Sequence, residues 1–553
     1  MRQRISGFKF IVFANFFTTC ATENPIVKIP LGAIKGTHIK SYEGRTVSTF
    51  EGIPYAKPPV GELRFEEPQP INSWSDTLFA NKTYVCMQYT YLSMKKDATG
   101  DEDCLYLYVY VPRENINASE KLDVVVHIHG GAFLVGDPKS IAGPDYIMDR
   151  DLIYVSMNYR LGILGFLSTE DDVAPGNNGL KDQVLALKWI KENIEYFGGN
   201  PQSITLTGMS AGAASVHFHY FSPLSKGLFH RGHSQSGTAL TGWALTKNPL
   251  RNAQKLGELL GCNTTTSEEL VKCLKEVPGK NLAAAIYNFL AYRNVLPPNV
   301  FVPVIEPNHT GAFLSEHPYK LLMEGRFNDL VWITSNTKDE GIVPVGFFVM
   351  FHKLTEFDRK WNEILPYSLG YYDTVDENDK APVAETIKQF YLKNETLSKD
   401  NVFDLIKLHT DRLFLSYSET AIRLQAKMGK SPVYYYDFDY HIHVPVVFKA
   451  HLSVVGHGDD YLMLYHHYRN PKVFQKDDNE MRKVFLDFLF NFASKGVPEF
   501  KNVDWKPISS NYDEIDYVRI SSPNDIHVEH AKEIGSTSFW DSLPFKENAH
   551  LFN

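Results

Sequence analysis

The sequence predicts an α/β fold in which a central, mostly parallel, twisted sheet is flanked by helices and interrupted by long insertions. Two apolar runs, Leu122–Ile128 and Leu152–Met157, have the length of buried strands. Gly179–Tyr196 carries apolar residues at mixed three- and four-residue spacing, which is typical of a helix, and the β-rich run Ser203–Thr207 follows it. Such alternation of strands and helices is the pattern of a parallel sheet covered by helices.

The second half of the chain is less regular and rich in aromatic residues, which favours long insertions over a second separate domain. The chain has 553 residues, of which 43% are hydrophobic, and can therefore bury a large core. It contains no repeat, low-complexity tract or long Gly/Ser linker. We therefore expect one α/β domain over residues 22–553.

The N-terminus has the order of a secretory signal peptide. Three basic residues precede the apolar stretch Phe10–Phe17, and small residues at 19–21 then offer a cleavage site. The apolar stretch is too short to cross a bilayer. We therefore expect residues 1–21 to be removed on export to the extracellular space, the alternative being a disordered or membrane-leaning tail. Residues 546–553 carry no hydrophobic tail, so the sequence signals no stable membrane anchor.

Cysteine usage agrees with export. Cys20 lies in the expected signal peptide, and the other four cysteines are Cys86, Cys104, Cys262 and Cys273. An even number in an exported chain predicts two disulfides, for which three connectivities are open, and four buried free thiols are the alternative. Five Asn-x-Ser/Thr sequons predict glycosylation on an exported protein, and they lie at Asn81, Asn117, Asn263, Asn308 and Asn394.

The net charge argues against two classes of partner. The chain carries a formal charge of −9 at pH 7. Nucleic acids and anionic membranes both attract a basic surface. We therefore expect neither as a partner, although the charge does not identify a substrate.

The central motif is Gly208-Met209-Ser210-Ala211-Gly212. It lies between the strand-like run Ser203–Thr207 and an apparent helix, Ala213–Tyr220. A serine on such a strand-to-helix turn is strained, with its hydroxyl exposed above the sheet, and the glycines let strand and helix approach closely. This placement predicts Ser210 as a nucleophile, the alternative being a structural turn. The similar stretch Gly232–Ser236 lacks the second glycine and is not chosen.

An oxyanion hole is predicted from the residues that follow Leu122–Ile128. The stretch His129–Phe133 contains consecutive small residues, whose backbone amides can point into a cavity. We predict that the amides of Gly131, Ala132 and Ala211 donate to one oxyanion. A competing interpretation makes His127 and His129 metal ligands, but no partnering cluster is evident in the sequence.

A serine hydroxyl needs a base, which is oriented by an acid. With 20 histidines and 65 acidic residues, chain order alone cannot select them. Asn336–Gly341 follows an apolar run and therefore lies at the end of a strand, and Gly456–Asp460 places a histidine on a glycine-flanked loop. Local chemistry favours these two places but leaves a solvated acidic turn and a surface histidine open.

Further stretches carry a family resemblance, and they are Phe50–Ala56 with Arg64 and Phe65, Glu102–Leu107, Asn158–Arg160, Gly176–Gln183 and Phe197–Pro201. Together with the serine motif they resemble the type-B carboxylesterase/cholinesterase family over nearly the whole chain after the signal peptide. The resemblance implies the α/β-hydrolase fold, with Glu340 as the acid and His457 as the base.

The resemblance also implies structural partners. It implies the disulfides Cys86–Cys104 and Cys262–Cys273, which nearest-neighbour pairing would also give. It implies two ion pairs, Arg64–Glu102 and Arg160–Asp182. Trp243 lies where the family often places a wall of the acyl pocket.

Departures from the family's patterns concern the expected substrate. Met209 stands where cholinesterases and many carboxylesterases carry Glu and where juvenile hormone esterases carry Gln. The Cys86–Cys104 loop contains Tyr89 and Tyr91 but no Trp, the residue type that best binds a choline cation. Acetylcholine is therefore not the expected substrate, and Met209 with Trp243 predicts an apolar pocket.

The resemblance is greatest to secreted insect β-esterases. It implies a secreted ester hydrolase. The triad mechanism needs no metal or cofactor, and Met209 and Trp243 favour uncharged small-molecule esters with short to medium acyl groups, of xenobiotic, pheromone, odorant or dietary origin. The alternatives are a juvenile-hormone-type esterase and a slow-turnover protein that sequesters hydrophobic esters or organophosphates. An adhesion or scaffold role is disfavoured because no triad residue is missing. We expect a monomer or a weak dimer.

Overall fold

The computed structural model describes residues 23–89, 96–290, 300–443, 449, 452–467, 475–511 and 514–551. The expected signal peptide, including Cys20, and Tyr91 lie outside these ranges. Within them, every helix is too short or too polar to cross a membrane.

Sixteen strands occur in the described residues. They are β1 (Ile26–Ile29), β2 (Gly32–Lys35), β3 (Thr37–Lys40), β4 (Thr46–Pro54), β5 (Leu78–Phe79), β6 (Gln88–Tyr89), β7 (Ala98–Thr99), β8 (Tyr106–Val111), β9 (Leu122–Ile128), β10 (Ile153–Met157), β11 (Gly199–Met209), β12 (Arg231–Gln235), β13 (Val331–Thr337), β14 (Val433–Phe438), β15 (Ile515–Ser522) and β16 (Asp525–Ala531).

Sixteen α-helices occur in the same ranges. They are α1 (Pro138–Ile141), α2 (Gly162–Phe166), α3 (Asn178–Asn193), α4 (Ala211–Phe221), α5 (Pro249–Leu260), α6 (Ser267–Glu276), α7 (Gly279–Ala285), α8 (Pro318–Met323), α9 (Ile342–Met350), α10 (Leu354–Arg359), α11 (Trp361–Ser368), α12 (Lys380–Leu392), α13 (Val402–Thr410), α14 (Ser416–Met428), α15 (Lys476–Lys495) and α16 (Thr537–Asp541). A π-helical turn, Asp411–Leu415, joins α13 to α14.

Eleven strands form one sheet, in the order β3-β4-β8-β10-β9-β11-β12-β13-β14-β15-β16. Neighbouring strands from β10 to β15 run parallel, and the other pairs in this sheet are antiparallel. The fold class predicted from the sequence is therefore confirmed. Because the central strands are parallel, the carboxyl ends of β9, β11, β13 and β14 lie at one edge of the sheet, where ligands bind in open α/β sheets.

The core lies on both faces of the sheet. Helices α3 and α4 pack with the apolar cluster of one face, and α15 crosses the other face against β9 and β11. A third apolar cluster is centred on α9–α13 and includes Leu365, Ile387 and Leu405. This helical layer is inserted between β13 and β14, so part of the irregular second half is a long insertion, as expected.

The predicted elements differ from the observed ones mainly at their ends. Strand β9 has the predicted bounds, and the strand predicted from Leu152 begins one residue later. The predicted helix Gly179–Tyr196 divides into α3 and a 3-10 turn, Ile194–Phe197. Strand β11 extends beyond Ser203–Thr207 because pairing with β9 and β12 continues past the β-branched residues.

Two disulfides have the connectivity that the resemblance implies. The Cα atoms are 5.0 Å apart in Cys86–Cys104 and 5.7 Å apart in Cys262–Cys273. The two implied ion pairs are also present and bidentate: Arg64 contacts Glu102 at 2.6 and 2.7 Å. Arg160 contacts Asp182 at 2.8 and 2.7 Å.

Candidate active site

Ser210 lies on a sharp turn between β11 and α4. Its backbone has φ 58° and ψ −120°, which is strained for an L residue. The turn is held at both ends, since Ser210 N donates to Gln235 O at 2.8 Å and Ala214 N donates to Ser210 O at 2.9 Å. This geometry directs the serine side chain away from the strand, at the carboxyl edge of the sheet.

Two glycines make this turn possible. A Cβ atom on Gly208 would lie 2.3 Å from Gly212 O, and a Cβ atom on Gly212 would lie 2.0 Å from Ile128 O. Neither position can hold a side chain without moving the backbone. The two motif glycines therefore allow the close approach of strand and helix that the sequence predicts.

The residues after β9 form a second strained turn beside Ser210. Gly131, Ala132 and Phe133 have φ angles of 114°, 57° and 59°. A Cβ atom on Gly130 would lie 3.2 Å from Ser210 Cβ, so the two turns are in contact. Gly131 N and Ala132 N donate to no acceptor in the described part of the chain.

The amide of Ala211 belongs to the first turn of α4. Amides in this position have no partner within their own helix, and the helix dipole gives that end a partial positive charge. Three amide donors and a helix N-terminus therefore lie at or beside the Ser210 turn.

Glu340 and His457 are hydrogen-bonded across two loops. Glu340 follows β13 and is fully buried, and His457 lies in the segment after β14 with one tenth of its side chain exposed. His457 Nδ1 donates to Glu340 Oε2 at 2.5 Å. The other oxygen, Oε1, accepts from Thr337 N at 2.8 Å and Asn336 Nδ2 at 3.3 Å. These three hydrogen bonds fix the carboxylate and the imidazole that it orients.

Ser210 Oγ and His457 are not hydrogen-bonded to each other at 3.5 Å or less in the described residues. They are linked through neighbours: a Cβ atom on Gly458 would lie only 2.5 Å from Met209 Cε. Met209 Sδ also lies near Gly130. Met209 therefore fills the space between the turn of Gly130–Phe133 and the turn that carries His457. Catalytic hydrogen bonds are often long before substrate binds.

Asp460 fixes the histidine turn to the sheet. Its Oδ2 accepts from Gln235 Nε2 at 3.0 Å, Ser335 Oγ at 2.9 Å and Tyr436 OH at 2.8 Å. Burial raises the pKa of the Asp460 carboxyl, and the nearby Glu340 adds to this against the donors' lowering effect. The turn is thus attached to β12, β13 and β14 together.

An aromatic wall stands beside the histidine. The ring centroids of Phe414 and His457 are 5.0 Å apart, and those of Phe414 and Trp243 are 6.0 Å apart. Trp243 Nε1 donates to Leu413 O at 3.1 Å, which attaches it to the π-helical turn. A Cβ atom on Gly237, beside Ser210 O, would lie 3.3 Å from the Trp243 ring. Trp243 therefore lies near both Ser210 and His457.

The segment of Trp243 also borders a cavity of about 610 Å³. Gly242, Leu245, Arg412 and Ser416 are among the residues that line it. The predicted catalytic residues do not line this cavity.

His127 and His129, the alternative metal ligands, have structural partners. His127 Nδ1 and Thr207 Oγ1 are 2.9 Å apart, and His129 Nδ1 donates to Gly130 O at 2.8 Å. Burial lowers the pKa of both imidazoles. No group of three or more His, Cys, Asp or Glu side chains in the described ranges has the geometry of a metal site.

The five sequons are all on the surface, with exposed asparagines at 81, 117, 263, 308 and 394. Tyr89 is buried in β6. Sequence reasoning missed Phe414, because nothing in the local sequence marks a residue whose partners lie far along the chain. Sequence reasoning also missed the role of Asp460. It lies in the predicted histidine stretch Gly456–Asp460, and an acid near a glycine-flanked histidine is a signal that could have identified it.

The arrangement as a whole contains the groups that acyl transfer requires. A strained serine lies beside unpaired backbone amides, and an imidazole is oriented by a buried carboxylate. Groups of these types can act as a nucleophile, an oxyanion hole and a base with its orienting acid. All of them lie after the carboxyl ends of parallel strands.

Comparisons with known proteins agree with this chemistry. Residues 23–540 match the model of the carboxylesterase family. The chain is 39% identical to venom carboxylesterase-6 of Apis mellifera over 534 residues, 95% of each chain. It is 35% identical to a juvenile hormone esterase of Tribolium castaneum, over 95% of this chain and 92% of the relative.

A solved structure has the same fold. The crystal structure of juvenile hormone esterase from Manduca sexta, with OTFP covalently attached, superposes with a TM-score of 0.81 at 27% identity, over 94% of this chain and 99% of that one. Family model, relatives and fold agree over nearly the whole chain, and the chain therefore belongs to the carboxylesterase family and is a carboxylesterase.

Proposed function

We propose that the chain is an exported serine esterase in which Ser210 is the nucleophile, His457 the general base and Glu340 the orienting acid. The observation that carries this proposal is the Glu340–His457 hydrogen bond of 2.5 Å, formed at the same sheet edge as the strained Ser210 turn. Glu340 is wholly buried, so its charge is available to the imidazole and little screened by solvent.

Acylation begins when Ser210 Oγ attacks the ester carbonyl carbon. His457 Nε2 accepts the hydroxyl proton, and the imidazolium is stabilised by Glu340. The carbonyl oxygen becomes an oxyanion and accepts from the amides of Gly131, Ala132 and Ala211, each such donor typically contributing about 3 kcal/mol in the transition state. The tetrahedral intermediate collapses when His457 returns the proton to the departing alkoxide, which leaves as the alcohol.

Deacylation repeats these steps with water. His457 takes a proton from the water molecule as its oxygen attacks the acyl carbon. The same three amides stabilise the second oxyanion, and the proton then passes to Ser210 Oγ as the acid leaves. None of these proton and acyl transfers requires a metal ion or a redox cofactor.

Uncharged esters with short to medium acyl groups fit the surroundings of Ser210. Trp243 and Phe414 supply an aromatic wall, and Met209 supplies a thioether where a carboxylate would attract a cation. A bulky indole limits the space for the acyl chain. Juvenile hormone esterases are among the relatives, so a juvenile-hormone-type ester is a second candidate substrate.

Export is part of the proposal. Residues 1–21 would be removed, and residues 22–553 would form the mature domain. Two disulfides and five exposed sequons support an extracellular location. Expression in insect cells should deliver the protein to the medium, beginning after residue 21 and losing mass on treatment with a glycosidase. Retention in the cells with residues 1–21 present would contradict export.

The function is tested with p-nitrophenyl esters of graded acyl length, from acetate to laurate. We expect turnover that is greatest for short to medium chains and falls by about 10³-fold or more in Ser210→Ala. The matched control is Ser234→Ala, which should keep wild-type turnover. Ser234 is the central serine of the similar Gly232–Ser236 stretch, and its Oγ donates to Ala213 O at 3.0 Å. Wild-type turnover in Ser210→Ala would show that the nucleophile is elsewhere.

The same assay separates hydrolysis from sequestration. A single stoichiometric burst of p-nitrophenol followed by almost no steady state would indicate slow deacylation, and hence a protein that sequesters esters. Sustained turnover after the burst supports a true esterase.

A further inference from the structure

The turn that carries His457 is attached to the Glu340 loop by Asp339. Asp339 N donates to Val455 O at 2.9 Å, and Val455 N donates to Asp339 Oδ2 at 2.9 Å. This reciprocal pair lies one residue before Glu340 and two residues before His457. It therefore fixes the start of the histidine turn relative to the acid.

The far end of the turn is closed by Asp459. Asp459 N donates to Gly456 O at 3.0 Å, and Gly456 N donates to Asp459 Oδ2 at 2.9 Å. These two bonds join the residues on either side of His457. The carboxylate of Asp459 thus determines the conformation of the backbone from which the imidazole projects.

The Asp459 carboxylate is buried and is paired with a cation, Lys449. Lys449 Nζ donates to Asp459 Oδ2 at 2.7 Å, and 9% and 1% of the two side chains are exposed. The methylene chain of Lys449 lies along Gly456, since a Cβ atom there would be 3.6 Å from Lys449 Cε. Burial raises the pKa of the Asp339 carboxyl, and the hydrogen bond from Val455 N and the charges of Lys338 and Lys449 act against this rise.

We propose that Lys449 and Asp459 are positioning residues that hold His457 against Glu340 and Ser210. The inference rests on the proposed function of that site. Neither residue touches the reacting atoms. They act through the backbone of the turn: Lys449 binds the buried Asp459 carboxyl, which accepts a hydrogen bond from Gly456 N.

The physical reason is that a buried carboxylate without a cation beside it is energetically unfavourable. Burial already raises the pKa of Asp459 to about 7, against the lowering effect of Lys449. Without the ammonium the group either protonates or remains charged without a partner. Either outcome removes the ion pair that orients Asp459 Oδ2 toward Gly456 N, so the turn loosens.

The test uses Lys449→Met, Asp459→Asn and the double variant. The readouts are ester hydrolysis and the labelling of Ser210 by a fluorophosphonate, in which Ser210 Oγ bonds to phosphorus, fluoride leaves and His457 takes the hydroxyl proton. Labelling needs the base but not ester turnover, so it separates failure of this inference from failure of the proposed hydrolase function. A protein that labels but does not turn over would overturn only the latter.

We expect Lys449→Met to lower kcat and the maximal labelling rate about tenfold, with KM and the inhibitor constant within twofold. The double variant should recover most of this loss, because the amide oxygen introduced by Asp459→Asn still accepts from Gly456 N and no buried charge is left unpaired. An unchanged rate, a loss in KM alone, or an equal loss in the single and double variants would overturn the inference.

The matched control is Lys181→Met. Lys181 is at least as buried as Lys449 and contacts the buried Glu306 at 2.7 Å, but it lies in α3 and not on the histidine turn. Its substitution should lower stability without lowering the labelling rate per folded molecule. If Lys449→Met does not fold, the double variant is compared with Asp459→Asn instead. A faster labelling rate in the double variant supports positioning, and equal rates in the two variants contradict it.

Discussion

At the scale of single residues, the site depends on positions where a side chain has no room. The nucleophile turn requires Gly208 and Gly212, and the histidine turn requires Gly458, which has φ +83°. Met209 occupies the space beside Gly458. An added methyl group at Gly458 would therefore have to displace the Met209 side chain, which lies between the histidine turn and Gly130.

Gly458→Ala tests this crowding. Its new Cβ would lie 2.5 Å from Met209 Cε, so we expect the Met209 side chain to be displaced within the site and kcat to fall about tenfold. The control is Gly227→Ala, which has a similar φ of +77° and open space around the added atom. Both variants carry the backbone strain, but only the first should lose activity. Equal kcat values in the two variants would contradict the proposed crowding.

Trp243→Ala tests the acyl wall. Removal of the indole should enlarge the space beside Phe414 and raise kcat/KM for octanoate relative to acetate by about tenfold or more, because each accommodated methylene contributes about 1 kcal/mol. The control is Phe390→Ala, an exposed ring that stacks on Phe539. The acyl wall would be wrong if the chain-length preference of Trp243→Ala matched that of the wild type.

The residues of the nucleophile motif could be predicted because their spacing encodes one local turn. Glu340 and His457 are separated along the sequence and became assignable only through family resemblance. Phe414 and Lys449 could not be predicted, since their roles come from contacts with residues that are distant or in different elements. Local sequence carries no information about such contacts.

At the scale of elements, buried charge pairs connect loops to helices. Arg160, after β10, contacts Asp182 in α3, and 4% and 0% of the two side chains are exposed. Arg160 N also donates to Asp182 Oδ2 at 3.0 Å. The pair therefore fixes α3 against the loop that follows β10.

Arg160→Met should lower the free energy of unfolding by about 3–5 kcal/mol, because it leaves the buried Asp182 without its cation. Urea denaturation measures the loss, and adding Asp182→Asn should recover part of it. Lys320→Met is the control, since Lys320 forms an exposed i,i+4 pair with Glu316 and should leave the midpoint unchanged. Similar midpoints for Arg160→Met and Lys320→Met would contradict the structural role of the pair.

The type of each central element could be predicted from apolar periodicity, whereas its ends could not. Strand β11 continues to Gly199 because β9 offers partners for its backbone, and α3 tightens into a 3-10 turn before the glycine at 198. The helical insertion after β13 could be predicted only as an irregular region. Its helices are defined by packing on one another, not by the sheet.

At the scale of the whole molecule, two sets of buried groups oppose each other as pH changes. Burial lowers the pKa of six fully buried histidines in the described residues, to about 3 in three of them and about 4 in His409: His127, His129, His217, His219, His233 and His409. Burial raises the pKa of six carboxyls there, to about 7 in Asp437 and Asp459: Asp339, Asp411, Asp437, Asp459, Asp460 and Asp541.

These shifts predict the pH dependence of stability. Below pH 6.5 the unfolded chain protonates the histidines first, so acidification destabilises the fold through them. Between the two pKa values of each raised carboxyl the folded chain binds the extra proton, so acidification stabilises it. The two effects therefore oppose each other between about pH 6.5 and 4.5, and we expect the melting temperature to fall more steeply below about pH 4, where the carboxyls are protonated in both states.

Asp437→Asn checks the balance between the two sets. Relative to the wild type, the variant should lose about 1.4 kcal/mol more of its unfolding free energy per pH unit of acidification between about pH 6.5 and 4.5. Thermal denaturation at stepped pH measures both proteins. A variant with the same pH profile as the wild type would contradict this assignment of the opposing groups.

The family assignment covers residues 23–540, and the central sheet is mostly parallel and flanked by helices, as the sequence predicts. Membership of the family does not by itself show that the groups of the candidate site react in this chain. That depends on Ser210, whose strained turn lies beside unpaired amides.

The central claim is that Ser210 is the nucleophile, and its most direct measurement is the site of covalent labelling. The protein is reacted with a fluorophosphonate, digested and analysed by mass spectrometry. We predict one adduct per molecule, on the peptide that contains Ser210, and no adduct in Ser210→Ala. Stoichiometric labelling of another residue, or labelling that persists in Ser210→Ala, would contradict this assignment.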